Sequence, residues 1–254
     1  MTRYSRQISV EGFGPQGQAR LQAASVLVIG AGGLAAPVLQ YLVGAGVGKV
    51  TIVDPDVVSL SNLHRQTLFA EDQVGTSKAQ AAVDVLSGLN SDCTLSAVRA
   101  ALDPSNADDL VGQADLVLDC ADSFAASYIL SDAAFAQNTA LISASALGVA
   151  GYVGGFCGGA PSLRAVFPDL PATAANCATA GVMGPVVGIL GAMQAQMALS
   201  VLLGLDPSPL GQMVQLDAQS FRSTTFRFDA APEPETSLRF ISASDVTPAD
   251  FAVE

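Results

Sequence analysis

A glycine turn set between two apolar runs limits this chain's fold more than any other feature. Ser25 to Ile29 is a short stretch rich in β-branched residues, followed by Gly30-Ala31-Gly32-Gly33-Leu34-Ala35-Ala36-Pro37 and an apolar segment through Val43. An apolar run of that length that breaks at glycine predicts a buried strand, and the apolar segment after it predicts a helix. Glycines serve where the backbone turns sharply and comes close to a ligand. A second apolar run, Lys49 to Val53, ends at Asp54. Strand, glycine turn, helix, strand and acid form the order of a Rossmann-like βαβ unit, with the acid placed to accept from ribose hydroxyls. The turn alone is equally what tight strand–helix packing requires, and Asp54 tips the reading to a nucleotide.

The remaining pattern extends this unit. Apolar runs predict strands over 95–98, 116–120 and 140–144, with helical periodicity over 78–89 and 124–137, so the sheet is expected to be mostly parallel. Beyond Gly148 the texture changes to short strands at 152–157, 164–167, 213–216 and 221–228, punctuated by Gly and Pro, around an apolar helix at 186–203. The expected fold is α/β, a Rossmann-like and mostly parallel sheet continued by antiparallel strands, with helices on both faces. Residues 1–229 read as one domain. Residues 230–254, rich in Pro, Ser and acid, read as a weakly ordered tail in which 241–251 could form a short docking helix.

Composition removes several function classes. With Lys and Arg numbering 11 and a net charge of −12, the chain lacks the clustered cations that nucleic acid rewards. Half the residues are hydrophobic and only 13% are charged, so some apolar surface is expected to lie against a second copy in a homodimer. The four cysteines, Cys93, Cys120, Cys157 and Cys177, form no CxxC pair and the single histidine is His64, so no zinc site is legible. No apolar stretch follows the basic residues at the N-terminus, and a cytoplasmic location is the simplest expectation. Residues 182–203 are long enough to span a bilayer, yet Pro185, Gln194 and Gln196 interrupt them and no Lys/Arg cluster flanks them. They read as a core or interface helix, and no membrane association is expected.

The polar residues cluster after the second strand, in Asp54-Pro-Asp56 and on to Asn62-Leu-His-Arg65-Gln66. Arg65 can neutralise developing phosphate charge, Asn62 and Gln66 can donate hydrogen bonds, and Lys78 adds a second point charge, a set that suits phosphoryl chemistry. Taken singly, Arg65 and Lys78 would pass for solvated surface cations. After the fourth expected strand comes Asp119-Cys-Ala-Asp122. Carboxylates there face the crevice of a parallel sheet, where Mg²⁺ needs one or two of them besides phosphates and water. Asp122 is the metal candidate or else a helix N-cap, and Asp119 could cap the strand.

Arg3-Tyr-Ser-Arg6-Gln7, Gly30-Ala-Gly-Gly-Leu, Asp54-Pro-Asp56, Ser61-Asn-Leu-His-Arg65-Gln66, Lys78, Asp119-Cys-Ala-Asp122 and Asn176-Cys177-Ala-Thr-Ala-Gly-Val-Met-Gly-Pro185 occur in this order. Together they resemble the ThiF/MoeB/HesA family, bacterial relatives of ubiquitin-activating enzymes. The resemblance implies ATP with Mg²⁺, and adenylation of the C-terminal Gly-Gly carboxylate of a ubiquitin-like sulfur-carrier protein with release of pyrophosphate. By position, Gly30, Gly32, Gly33 and Asp56 would frame the nucleotide. Asp54 would hold ribose, Asn62, Arg65 and Lys78 the phosphates, and Asp122 the metal, with Gln66 also binding the nucleotide. Arg6 would reach the neighbouring subunit's site.

Cys177 lies where some family members carry a thiol that bonds to the carrier; a passive loop cysteine is the alternative. Family members commonly clamp a structural zinc between two Cys-x-x-Cys pairs, and the matching stretches here read Ser162-Leu-Arg-Ala165 and Pro232-Glu-Pro-Glu-Thr236, so zinc is not expected. Ala35 stands for a usual third glycine, and Ala121 and Ser123 for Thr and Asn. Chain length favours the thiamine-thiazole carrier, with the molybdopterin carrier as the second candidate. A catalytically silent subunit of a heterodimer and an NAD-dependent oxidoreductase are the competing functions.

Overall fold

The protein's structure, a computed structural model, describes residues 3–168 and 181–235. Its frame is one eight-stranded sheet of β1 (Ser25–Ile29), β2 (Lys49–Val53), β3 (Thr94–Val98), β4 (Leu116–Asp119), β5 (Ala140–Leu147), β6 (Ala150–Cys157), β7 (Gln212–Asp217) and β8 (Arg222–Arg227). The order across the sheet is β3-β2-β1-β4-β5-β6-β7-β8. The strands from β3 to β5 pair in parallel, as in the register Val28↔Ile52 and Val28↔Leu118. From β5 onward the pairing is antiparallel. Four of the five residues of β1 are buried, the signature of a central parallel strand covered on both faces.

Helices cover each face. On one lie α3 (Ala35–Ala45), α4 (Lys78–Ser87) and α8 (Gly184–Leu203), whose apolar residues join a core with Val26, Val28, Val50 and Ile52. On the other lie α5 (Pro104–Val111), α6 (Phe124–Ala136) and the single turn α7 (Leu163–Val166), packed on Leu27, Ile29, Val117 and Leu141. The helix after β1 therefore goes to one face and the helix after β4 to the other. The crevice between the carboxyl ends of β1 and β4 is a topological switch point, where open α/β sheets bind ligands.

Gln194 ties α8 to this crevice. Its buried amide donates to Asp119 O (2.7 Å) and Ile142 O (2.9 Å), while the Cys120 thiol donates to Gln194 Oε1 (3.4 Å). Among the described residues α8 is the one helix long and apolar enough to cross a membrane by length and composition. Half of its apolar window is buried inside the fold, against α3 and the sheet. Gly204, at φ 65°, ends it in the left-handed conformation.

Several expected elements need correction. Residues 164–167 form no strand: Ser162 Oγ accepts from Ala165 N (3.3 Å) and Phe167 N–H closes on Leu163 O (2.8 Å), making the helical turn α7. The helices α1 (Ser5–Ile8), α2 (Gly14–Ala23) and α5 went unread because they are short and carry few apolar residues to set a period. In α5, Asp103 accepts from Ser105 N and Pro104 opens the first turn, start signals that stand in the sequence. Strands β5 and β6 run longer than expected because Gly148, at φ 60°, turns one directly into the other. The expected docking helix at 241–251 lies outside the described residues.

Candidate active site

The glycine turn after β1 uses each glycine differently. Gly30 sits at φ 90°, and a Cβ there would meet Cys120 O at 2.6 Å, so the crossing of β1 past β4 requires glycine. A Cβ on Gly33 would meet Val187 of α8 at 2.7 Å, so that position serves packing between α3 and α8. Gly32 is the open one: its nearest neighbour would be Gln66 Nε2 at 3.6 Å. No side chain caps α3, whose preceding residue is Leu34, so the positive end of that helix faces a cleft lined by Gly32, Gly33 and Leu34.

Asp54 braces this turn from β2. Its Oδ2 accepts from Ala31 N (2.7 Å) and its Oδ1 from Asp56 N (2.8 Å). Burial pushes its carboxyl up, against the downward pull of those two N–H donors and of Lys78. The loop after Asp56 makes two short 3₁₀ turns, Leu60–Asn62 and Glu71–Gln73, and returns so that Val57 bridges Ser77. That return brings Lys78, at the start of α4, beside Asp56: Lys78 N donates to Asp56 O (3.0 Å) and Nζ to Oδ2 (2.9 Å). The ammonium is buried whereas Asp56 is exposed.

Arg65 lines the same cleft, its Nη2 donating to Asn62 Oδ1 (3.1 Å) and its Nη1 3.0 Å from His64 Nε2. Asn62 thus aims Arg65 and does not itself line the cleft. Gln66 is buried, and its Oε1 has no hydrogen-bond partner among the described residues.

Asp119 and Asp122 divide the opposite rim. Asp119 is fully enclosed, accepting from Ser143 Oγ (2.7 Å) and Ala121 N (3.2 Å). Burial pushes its carboxyl up, the hydroxyls of Ser127 and Ser143 and the Ala121 N–H pull it down, and Asp122 pushes it up again. It closes the strand end, the role expected of it. Asp122 is exposed and lines the cleft. The alternative reading of Asp122 as the cap of α6 fails: Ser123 holds that position, and no side chain caps the helix.

One cleft of about 650 Å³ joins these groups, a volume suited to a small molecule. It brings together Gly30, Gly32, Gly33, Asp54, Asp56, Arg65, Gln66, Lys78 and Asp122. Arg6 is exposed on α1, whose Gln7 donates to Ala45 O at the far end of α3. At 1.5 Å per residue α3 places Arg6 roughly 16 Å from its own chain's cleft. Cys177 lies outside the described residues. Cys120 and Cys157 are buried and Cys93 is partly so.

Sequence reasoning missed the far wall: Ala100–Leu102 after β3, and Tyr128, Tyr152, Leu163 and Phe167 beside β5 and β6. Nothing in their local pattern separates them from core. Among the described residues no group of three His, Cys, Asp or Glu side chains could hold a metal by itself. One exposed carboxylate on a cleft with room for phosphates still fits Mg²⁺, which completes its shell with phosphate oxygens and water.

Comparison with known proteins agrees with this architecture. The model of the ThiF family matches residues 4–238. The SAMP-activating enzyme E1 of Haloferax volcanii is 37% identical over 235 residues, covering 92% of this chain and 87% of that protein. Caenorhabditis briggsae "Adenylyltransferase and sulfurtransferase MOCS3" is 38% identical over 98% of the chain, and the Drosophila persimilis protein of that name 42% over 89%. The chain spans only 63% and 51% of those two relatives' lengths. Among solved structures, E. coli MccB with MccA-N7isoASN superimposes with a TM-score of 0.80 at 20% identity, over 90% of this chain and 72% of that one. By its sequence motifs, its sheet order and these matches, the chain belongs to the ThiF family.

Proposed function

We propose that this chain transfers the adenylyl group of ATP to the C-terminal Gly-Gly carboxylate of a ubiquitin-like sulfur-carrier protein. The observation that carries the reading is the convergence of Arg65, Lys78 and Asp122 on one cleft with the uncapped start of α3. A carboxylate oxygen attacks the α-phosphorus, the bond from that phosphorus to the bridging oxygen breaks, and the electron pair leaves with pyrophosphate. The substrate carboxylate is already ionised, so the reaction needs no protein nucleophile or general base, only alignment and charge neutralisation. Lys78 and Arg65 supply positive charge to the triphosphate, Asn62 orients Arg65, the Gln66 amide meets a phosphate or ribose group, and Asp54 keeps the turn in shape for ribose. Asp122 would hold Mg²⁺, which when bound neutralises charge on the departing pyrophosphate.

The names of the relatives support this reading, since they are called adenylyltransferases and an activating enzyme, and one of the similar solved structures is E. coli MccB with ATP. The active form is a cytoplasmic homodimer in which Arg6, too far from its own cleft, serves the neighbour's. Its catalytic unit is residues 1–229. Cys177 either bonds to the carrier or is passive, which mass spectrometry of the reaction mixture distinguishes.

Carrier-dependent exchange of pyrophosphate into ATP tests the proposal. Arg65→Ala and Asp122→Ala are each expected to lower exchange by at least ~100-fold, as loss of a charge-stabilising group does. Exchange measured with a thiamine-thiazole carrier and with a molybdopterin carrier separates the two candidate substrates. No exchange with any Gly-Gly-ended carrier overturns the reading. ATP binding seen only with a second, different subunit points to the silent subunit, and Mg²⁺-independent binding of NAD tighter than that of ATP to the oxidoreductase.

A further inference from the structure

Glu233 lies beyond β8, and its carboxylate reaches back across 71 positions to Ser162. Oε1 accepts from Ser162 N and Oε2 from Ser162 Oγ, each at 2.6 Å. Ser162 is 3% exposed, so both donors are withdrawn from water and the contact is a short, charge-assisted pair of hydrogen bonds. We propose that Glu233 is a positioning residue of the cleft: by clasping Ser162 it holds the turn α7 where Leu163 and Phe167 form the cleft wall.

Further fastenings of α7 come from α6. Leu163 N donates to Ser131 Oγ (3.0 Å), the Tyr128 hydroxyl donates to Phe167 O (2.7 Å), and Arg164 grips Asp132 with two bonds of 2.6 and 2.9 Å. These fix the inner side of the turn. Glu233 fixes its entry, and Ser162 Oγ in turn accepts from Ala165 N within the turn. The chain thereby links the end of the sheet to the aromatic wall, where Phe167 meets Tyr152 at 5.5 Å between ring centroids.

The family resemblance joins these same two stretches through a zinc held by four thiolates. That metal does not fit here: neither 162–165 nor 232–236 contains a cysteine, and a hydroxyl with a carboxylate is not the donor set of a structural zinc. Glu233 makes the cross-connection by hydrogen bonds alone.

The wall it holds stands at β5 and β6, whereas Gly30, Asp54 and Lys78 belong to the β1–β2 end. Three strand spacings separate β6 from β1, roughly 14 Å. The clasp therefore acts on the partner that brings the carboxylate more than on the nucleotide. This kinetic consequence rests on the adenylation reading; the structural one does not.

Glu233→Ala, Glu233→Gln and Ser162→Ala, made in the full chain, test both. Hydrogen exchange of the amides at 162–167 should quicken at least tenfold in Glu233→Ala, with those of β1 unchanged. Glu233→Gln, which keeps one acceptor, should fall between that variant and the wild type. Ser162→Ala, which keeps the backbone N–H to Glu233 but loses the hydroxyl that also caps Ala165 N, should quicken these amides as well, and adding Glu233→Ala should quicken them further. In pyrophosphate exchange, KM for the carrier should rise about tenfold, while KM for ATP and kcat stay within twofold. Unchanged amide exchange at 162–167 in Glu233→Ala overturns the clasp, and so does a KM for ATP that rises in step with the carrier's. If the wild type itself catalyses no exchange, the adenylation reading falls, and amide exchange still judges Glu233.

Discussion

Cys157 is fully buried, with its thiol directed at Ser131 O at 3.6 Å. Burial pushes this thiol from its ordinary 9.0 up to about 12, against a smaller downward pull from Ser131. The unfolded chain therefore loses this proton first. The contribution to stability is complete below pH 9 and is lost as pH climbs toward 12, by ~1 kcal/mol at pH 10. Urea midpoints measured from pH 8 to pH 10.5 should fall more steeply for the wild type than for Cys157→Ser; parallel curves would contradict this. At the same scale, the charged residues of the site were legible because Arg65, Lys78 and Asp122 stand in recognisable motifs. Asn62 is a phosphate-ligand candidate in the sequence, and its bond to Arg65 adds an orienting role that a motif does not display. The partnership of Glu233 with Ser162 leaves no local trace, since it joins residues that meet only after β7 and β8 are laid down.

Helix α8 shows how an element is pinned. Its apolar circumference would let it rotate or slide over the sheet, and Gln194 prevents that by filling two carbonyls, one on β4 and one on β5. Gln194→Leu keeps the volume but removes the amide donor to Asp119 O and Ile142 O and the acceptor of the Cys120 thiol, at a cost of about 1–3 kcal/mol. Thermal denaturation should register this as a clear drop in Tm, and a Tm equal to wild type would refute the pinning role. The strands of the parallel half were readable to within a few residues, because a short β-branched run bounded by glycine or acid has few alternatives. The turn α7 was not, since Arg164-Ala-Val-Phe is as compatible with a strand as with a helix until Ser162 and Phe167 close its ends. The polarity of Gln194 was visible in the sequence as an interruption of an apolar run, though not what it was for.

Over the whole molecule, Arg6 and the cleft lie too far apart to serve one another within a chain. If Arg6 acts across a dimer, two dead variants should rescue each other. Mixing Arg6→Ala with Asp122→Ala chains under conditions of subunit exchange should restore about a quarter of wild-type activity, because half the dimers are mixed and each holds one intact site. No recovery on mixing would rule the shared site out. The net charge of −12 makes two cations lining one cleft unusual, and their setting matters. Lys78 is held at 2.9 Å by the carboxylate of Asp56, so the ammonium begins with a tethered rival to any polyanion that enters. Capture of a triphosphate is then an exchange of one anion for another, weaker than attraction to a bare charge. If the adenylation reading holds, the same carboxylate stands within reach to take the lysine back as pyrophosphate leaves, and Asp56→Ala should then tighten inhibition by added pyrophosphate.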